Sequence, residues 1–122
     1  MPKINFHHTH LISADPEKIA DFYVKHLGAK RGETRKTPSG AVSVPLTLNG
    51  SPILISGPRS QPPKYGLDHF GISTNDMDAT VKELKAAGVK FQMEPTEIRP
   101  GSRIAFFWAP EEVLIEIVEV KE

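Results

Sequence analysis

The chain has 122 residues, 39% of them hydrophobic, the size of one ordinary domain that can bury about two-thirds of its unfolded surface. Its 15 basic and 15 acidic residues balance, so no global field draws it to nucleic acid, an anionic membrane or a polyanion, and a small-molecule substrate is expected. The lack of cysteine excludes a disulfide scaffold, thiolate ligands and thiol catalysis, leaving imidazole and carboxylate to build any transition-metal site. The first residues, MPKINFHHTH, have no apolar core of signal type, and no run approaches a membrane span; a cytoplasmic protein with no membrane partner is the expectation.

In residues 3–12, Phe6, His8, His10 and Ile12 alternate with His7, Thr9 and Leu11, so a strand there presents them on opposite faces. Asp15 followed by Pro16 predicts a helix start, the carboxylate capping and the proline sitting where its missing N–H does no harm. Ile19, Phe22, Tyr23, His26 and Leu27 recur at helical spacing, an apolar stripe that Gly28 ends. Strands are predicted around 30–36, 41–48 and 52–56, the last two joined by Asn49-Gly50, a hairpin-turn pair. The first module, residues 1–56, therefore reads βαβββ.

Residues 57–66, GPRSQPPKYG, hold three prolines and two glycines and read as a surface linker. The second module, residues 67–122, opens with a strand in which His69, Gly71 and Ser73 share a face. Asn75 and Asp76 are cap candidates, and Met77, Val81, Leu84 and Ala87 form a helical stripe ended by Gly88. Strands at 89–94, 103–109 and 113–120 complete a second βαβββ.

The two modules are an internal repeat. His8 to Asp15 and His69 to Asp76 are both His-x6-Asp at a strand-to-helix junction; His69 follows His8 by 61 positions and Gly88 follows Gly28 by 60. By the 60-residue shift, Glu116 maps onto Ser56. The fold class expected is α+β, two paired βαβββ modules making one open, curved sheet around a cavity.

If the modules pack about a local two-fold axis, His8 and His69 face each other across that cavity. Glu116 is flanked by Leu114, Ile115, Ile117 and Val118, and an unpaired carboxylate in such surroundings costs several kcal/mol or is driven neutral. A divalent cation shared with two imidazoles removes that cost. Two histidines and one carboxylate suit Zn, Ni, Co, Mn or Fe(II), with positions left for water or substrate.

These residues resemble the vicinal oxygen chelate superfamily, whose members include glyoxalase I, methylmalonyl-CoA epimerase, extradiol dioxygenases and the fosfomycin and bleomycin resistance proteins. The resemblance lies in HTHLISADPEKIADFYVKHLG, in GLDHFGISTNDMDATVKELKAAGVKF and in PGSRIAFFWAPEEVLIEIVE. It implies metal ligation by His8, His69 and Glu116, chelation of two neighbouring substrate oxygens, and stabilisation of an enolate-like charge. Two positions depart from the family pattern. A fourth ligand, often Glu or Gln, falls at or near Ser56, which favours a three-ligand centre. The turn commonly written Asp-Pro-x-Gly is Ala109-Pro110-Glu111-Glu112 here.

His10, two residues beyond His8 on the same face, is the candidate proton shuttle, with Glu116 as the acidic catalytic group. Ser56, Tyr65, Arg103 and Trp108 are candidates for substrate contact. His7 and His26 read as ordinary structural or surface residues. The leading expectation is a metal-dependent lyase or isomerase of the glyoxalase and epimerase type, acting as a homodimer. Alternatives are an Fe(II) extradiol dioxygenase and a metal-independent protein that sequesters a drug or metabolite. A fosfomycin-type transferase ranks lower, because no basic cluster stands near the closing strands.

Overall fold

The structure, a computed structural model, describes residues 2–38, 40–58 and 62–121. Nine strands and two α-helices among these residues pair in both parallel and antiparallel fashion, giving the α+β fold. In chain order they are β1 (Ile4–Ile12), α1 (Pro16–Leu27), β2 (Lys30–Arg31), β3 (Arg35–Lys36), β4 (Val42–Leu48), β5 (Ser51–Ser56), β6 (Gly66–Thr74), α2 (Met77–Ala86), β7 (Phe91–Arg99), β8 (Ser102–Ala109) and β9 (Val113–Glu119), with a 3-10 turn at Pro110–Glu112 before β9. The chain divides into two compact units, one running from His8 to Asp68, the other joining the residues up to His7 with those from His69 onward. The boundaries thus fall inside β1 and inside β6. Of the linker, Arg59, Ser60 and Gln61 lie outside the described residues.

In the first unit the order is β2–β4–β5–β1, with β3 also on β4. β1 and β5 run parallel, and the β4–β5 hairpin turns at Asn49 (φ 49°) and Gly50 (φ 87°), the two positive φ values that such a turn demands. Asp15 caps α1 by accepting the Lys18 N–H at 3.2 Å, and Gly28 closes it at φ 75°. The apolar stripe is rotated from the one the spacing predicts. Phe22 is 52% exposed and Leu27 51%, whereas Ala20 is wholly buried against Ala29, Val44, Leu46 and Ile55. A methyl side chain at the point of contact lets the helix approach the sheet closely, with Ile19 and Tyr23 packing to either side.

The strand expected over 30–36 is two short pieces, both antiparallel to β4. The break lies opposite Pro45, which cannot donate a ladder hydrogen bond. There Gly32 donates to the Pro45 carbonyl at 2.8 Å, and a Cβ on Gly32 would come within 3.1 Å of the proline ring.

In the second unit the order is β6–β9–β8–β7, and Phe6 of β1 stacks on Phe70 at 6.1 Å. Asp76 caps α2 through the Ala79 N–H at 3.0 Å. The helix packs Met77 and Val81 onto Ala105, Phe107 and Ile117. β7 runs on to Arg99, past the expected end at residue 94, because Pro95 falls where the β7–β8 register shifts, between the Met93 and Thr96 pairs, on a strand whose other edge carries no partner among the described residues of this unit. No helix among the described residues is long and apolar enough to cross a membrane.

Candidate metal-binding site

The alternation along each strand sorts its residues between the helix-packed face and the opposite one. In the first unit Leu11, Ile53 and Ile55 pack toward α1, so His8, His10 and Ile12 of β1 stand on the other face with Leu54 and Ser56 of β5. His8 is 3% exposed and His10 9%. Their rings are 6.2 Å apart, edge to face. His10 Nε2 and Ser56 Oγ share a hydrogen bond of 2.9 Å, and Ser56 is completely buried.

In the second unit Ile72, Ile115 and Ile117 pack toward α2, leaving His69, Gly71 and Ser73 of β6 and Glu116 of β9 on the opposite face. His69, 3% exposed, has its Nε2 3.0 Å from Glu116 Oε1. Phe106, Glu116's partner across β8–β9, sets its ring edge-on against the imidazole at 5.0 Å. An imidazole and a carboxylate thus meet over apolar neighbours, where each requires a charged or hydrogen-bonding partner.

Strand register refines the equivalence drawn from the sequence shift. Glu116 lies opposite Gly71, and Leu54 lies opposite His10, the residue that precedes Gly71 by 61 positions; Ser56 lies opposite Ile12, one pleat further on. By this register the counterpart of Glu116 is Leu54, an apolar side chain, rather than Ser56. Ser56 instead stands to His10 as Glu116 stands to His69: in both pairs the histidine bonds the residue opposite the position two ahead of it.

The remaining candidates are dispersed. Trp108 is 42% exposed on the Phe106 face of β8, paired with Leu114. Tyr65 is exposed just ahead of β6. Arg103 alternates with Ala105 and Phe107, so it faces the α2 side, away from His69 and Glu116. There it donates to Glu119 at 3.0 and 3.2 Å and to Asp78 at 3.1 Å. Those partners raise the Arg103 pKa, Glu119 first and Asp78 second. In turn Arg103 holds the Glu119 carboxyl below its ordinary value against the opposing effect of burial, with help from the Met77 N–H. Arg103 is therefore a structural anchor between β8, β9 and α2, a correction to its expected part in substrate contact. Period-two counting from Phe107 carries that information in the sequence. Phe106, on the other face of β8 from Phe107, is the residue that shapes the surroundings of His69.

The chain matches the family model described as Glyoxalase/Bleomycin resistance protein/Dioxygenase superfamily over residues 5–117. It is 32% identical to the uncharacterized protein YwkD of Bacillus subtilis (strain 168), over 94% of this chain and 96% of that one. It is 26% identical to glyoxalase I of Saccharomyces cerevisiae (strain ATCC 204508 / S288c) over 96% of this chain, spanning 45% of that protein's length. Among solved structures, a hypothetical protein from Bacillus halodurans C-125 superposes with a TM-score of 0.82 at 25% identity, covering 98% of this chain and 96% of that one. The fold of methylmalonyl-CoA epimerase from Mycobacterium tuberculosis superposes with a TM-score of 0.77 at 22% identity, covering 96% and 88%. The duplicated βα opening, the buried histidines and the family match over residues 5–117 lead to one conclusion: the chain belongs to the glyoxalase/bleomycin resistance/dioxygenase superfamily.

Proposed function

We propose that the protein is a metal-dependent enzyme of the glyoxalase and epimerase type, acting on a small substrate with two neighbouring oxygens. His8, His69 and Glu116 are its cation ligands, and His10 is the group that moves a proton. The carrying observation is the His69–Glu116 pair. The Nε2 and Oε1 atoms meet at 3.0 Å, close enough for one cation of octahedral preference to take both as neighbouring ligands. The donor set fits a divalent cation of the Zn, Ni, Co, Mn or Fe(II) group. The enzymes among the chain's relatives by name, glyoxalase I and methylmalonyl-CoA epimerase, support the same reading.

A bound cation would supply Lewis-acid stabilisation of negative charge on the substrate oxygens. The chain's own residues do the rest. The Ser56 hydroxyl holds His10 by its Nε2, which fixes the ring plane from which the imidazole gives or takes a proton, a contribution of typically ~10²–10⁴-fold. Phe106 packs edge to face with the His69 ring at 5.0 Å. Trp108 and Tyr65, both exposed, are available to a substrate. Ser56 orients His10 instead of touching substrate. A homodimer follows the family resemblance, and size-exclusion with light scattering checks it.

The test is cation content. Protein purified without added metal is expected to carry close to one divalent ion per chain by elemental analysis. Glu116→Gln, which keeps the shape of the side chain and removes its charge, is expected to lose that ion. Full occupancy in Glu116→Gln and in His69→Ala would overturn the ligand assignment.

A further inference from the structure

In the first unit, the sheet face that carries His8 and His10 is electrically one-sided. From β1, β4 and β5 that face draws only histidine, serine, threonine, proline, leucine and isoleucine. The edge strands add two cations. Lys30 pairs with Thr47 and Arg35 pairs with Ser43, and directly opposite residues of antiparallel strands share a face. Thr47 and Ser43 alternate with Leu46, Val44 and Val42, which pack toward α1, so both cations stand on the histidine side. No strand residue on that side of this unit is acidic.

Neighbouring Arg31 shows what these two lack. It faces the helix side and is held there by Glu17, Asp21 and Thr34. The Lys30 and Arg35 side chains are exposed and make no hydrogen bond or ion pair among the described residues. A polar row links Arg35 to the site: Arg35 lies opposite Ser43, Ser43 opposite Ser56, and Ser56 is bonded to His10. Two strand steps of roughly 4.8 Å put the Arg35 backbone about 10 Å from Ser56, a gap that the long arginine side chain can span with a short ligand. Pro45 of β4 and Gly32 lie between the two cations, and the one acidic residue of the intervening turn, Glu33, is exposed.

We infer that Lys30 and Arg35 form an anion subsite, so that the substrate bears a negatively charged group, a carboxylate or a phosphate, remote from its two chelating oxygens. Arg35 is the principal partner because its guanidinium takes either anion in bidentate fashion, while Lys30 adds a point charge. This inference rests on the proposed metal chemistry for the chelating end of the ligand, but the subsite itself is testable without it.

The experiment is calorimetric titration of wild-type protein, metal-loaded and chelator-treated, with matched probes. 2-Oxoglutarate is compared with 2-oxopentanoate, which differs in lacking the remote carboxylate, and 3-phosphoglycerate with glycerate, which lacks the phosphate. At least tenfold tighter binding of the charged member in one pair is expected, and which pair discriminates identifies the anion. Arg35→Ala should abolish that preference, Arg35→Lys should retain part of it, and Lys30→Ala should reduce it. Unaltered thermal melting of the variants, expected at exposed positions, shows that the fold is intact. Equal binding within both pairs in both preparations overturns the subsite, as does a preference that survives in the Lys30→Ala/Arg35→Ala double variant. Oxalate reads the chelating end alone: if metal-loaded protein fails to bind it while the Arg35-dependent preference persists, the metal reading falls and the anion subsite stands.

Discussion

His10 Nε2 lies 2.9 Å from Ser56 Oγ, reproducing within the first unit the diagonal relation that joins His69 to Glu116 in the second. The duplicated strand pair thus offers each of two histidines a partner on the adjacent strand, a hydroxyl in one copy and a carboxylate in the other. Replacing Ser56 with Ala removes a neutral partner from a nearly buried ring. Stability should fall by about 0.5–1.5 kcal/mol, read by urea denaturation, while the cation affinity changes less than about twofold. A large loss of cation affinity would give Ser56 a ligand role that its bond to His10 does not suggest.

Glu119 carries the clearest pH dependence. Its folded pKa is depressed, chiefly by Arg103, so its stabilising contribution is fully present above the unfolded carboxylate value of about 4.3 and disappears as pH falls through the folded value. Its side chain is only 6% exposed and also accepts the first N–H of α2, from Met77, at 2.9 Å. Glu119→Gln should cost about 1–3 kcal/mol at neutral pH and flatten the loss of stability below pH ~5. Denaturation midpoints of both proteins across that range check the sign: parallel curves would remove Glu119 from the account. Glu17, lowered by its bond to Arg31, is far more exposed and contributes less.

The turn into β9 stores backbone strain. Glu111 and Glu112 have φ of 63° and 61°, a left-handed conformation that costs a side-chain-bearing residue roughly 1–2 kcal/mol. Glycine at 112 relieves that cost but adds freedom to the unfolded chain, so Glu112→Gly should gain about 0.5–1 kcal/mol net. Thermal melting should rise by about 2–4 °C. Glu112→Ala, which keeps a Cβ, should give no such gain.

The helix stripe is tested at Ala20 and Phe22. Ala20→Leu forces extra volume into a wholly buried contact and should cost about 1–3 kcal/mol. Phe22 is half exposed, its ring against those of Tyr23 and His26 on the same helix, so Phe22→Ala should cost less than about 1 kcal/mol. The reverse ranking by chemical denaturation would restore the stripe that the spacing predicts.

What the sequence states legibly is local. The βα openings, the Asp15 and Asp76 caps, the Asn49-Gly50 turn and the 61-residue repeat all survive in the structure. The alternation that puts His8 and His10 on one strand face, and His69 and Gly71 on another, survives as well. Each depends on residues a few positions apart, whose φ/ψ preferences and side-chain direction hold wherever the segment ends up.

What needed the tertiary structure is every partnership between strands. Leu54 rather than Ser56 stands where Glu116's counterpart would be, Ser56 turns to His10, and Arg103 faces α2. Lys30 and Arg35 come onto the histidine face from strands too short to show an alternation of their own. Hydrogen-bond register between distant segments decides these pairings, and a slip of one residue would send each side chain to the other face. The chain alone determines which chemistry-bearing residues exist and which way each strand can show them; the ladder decides which of them meet.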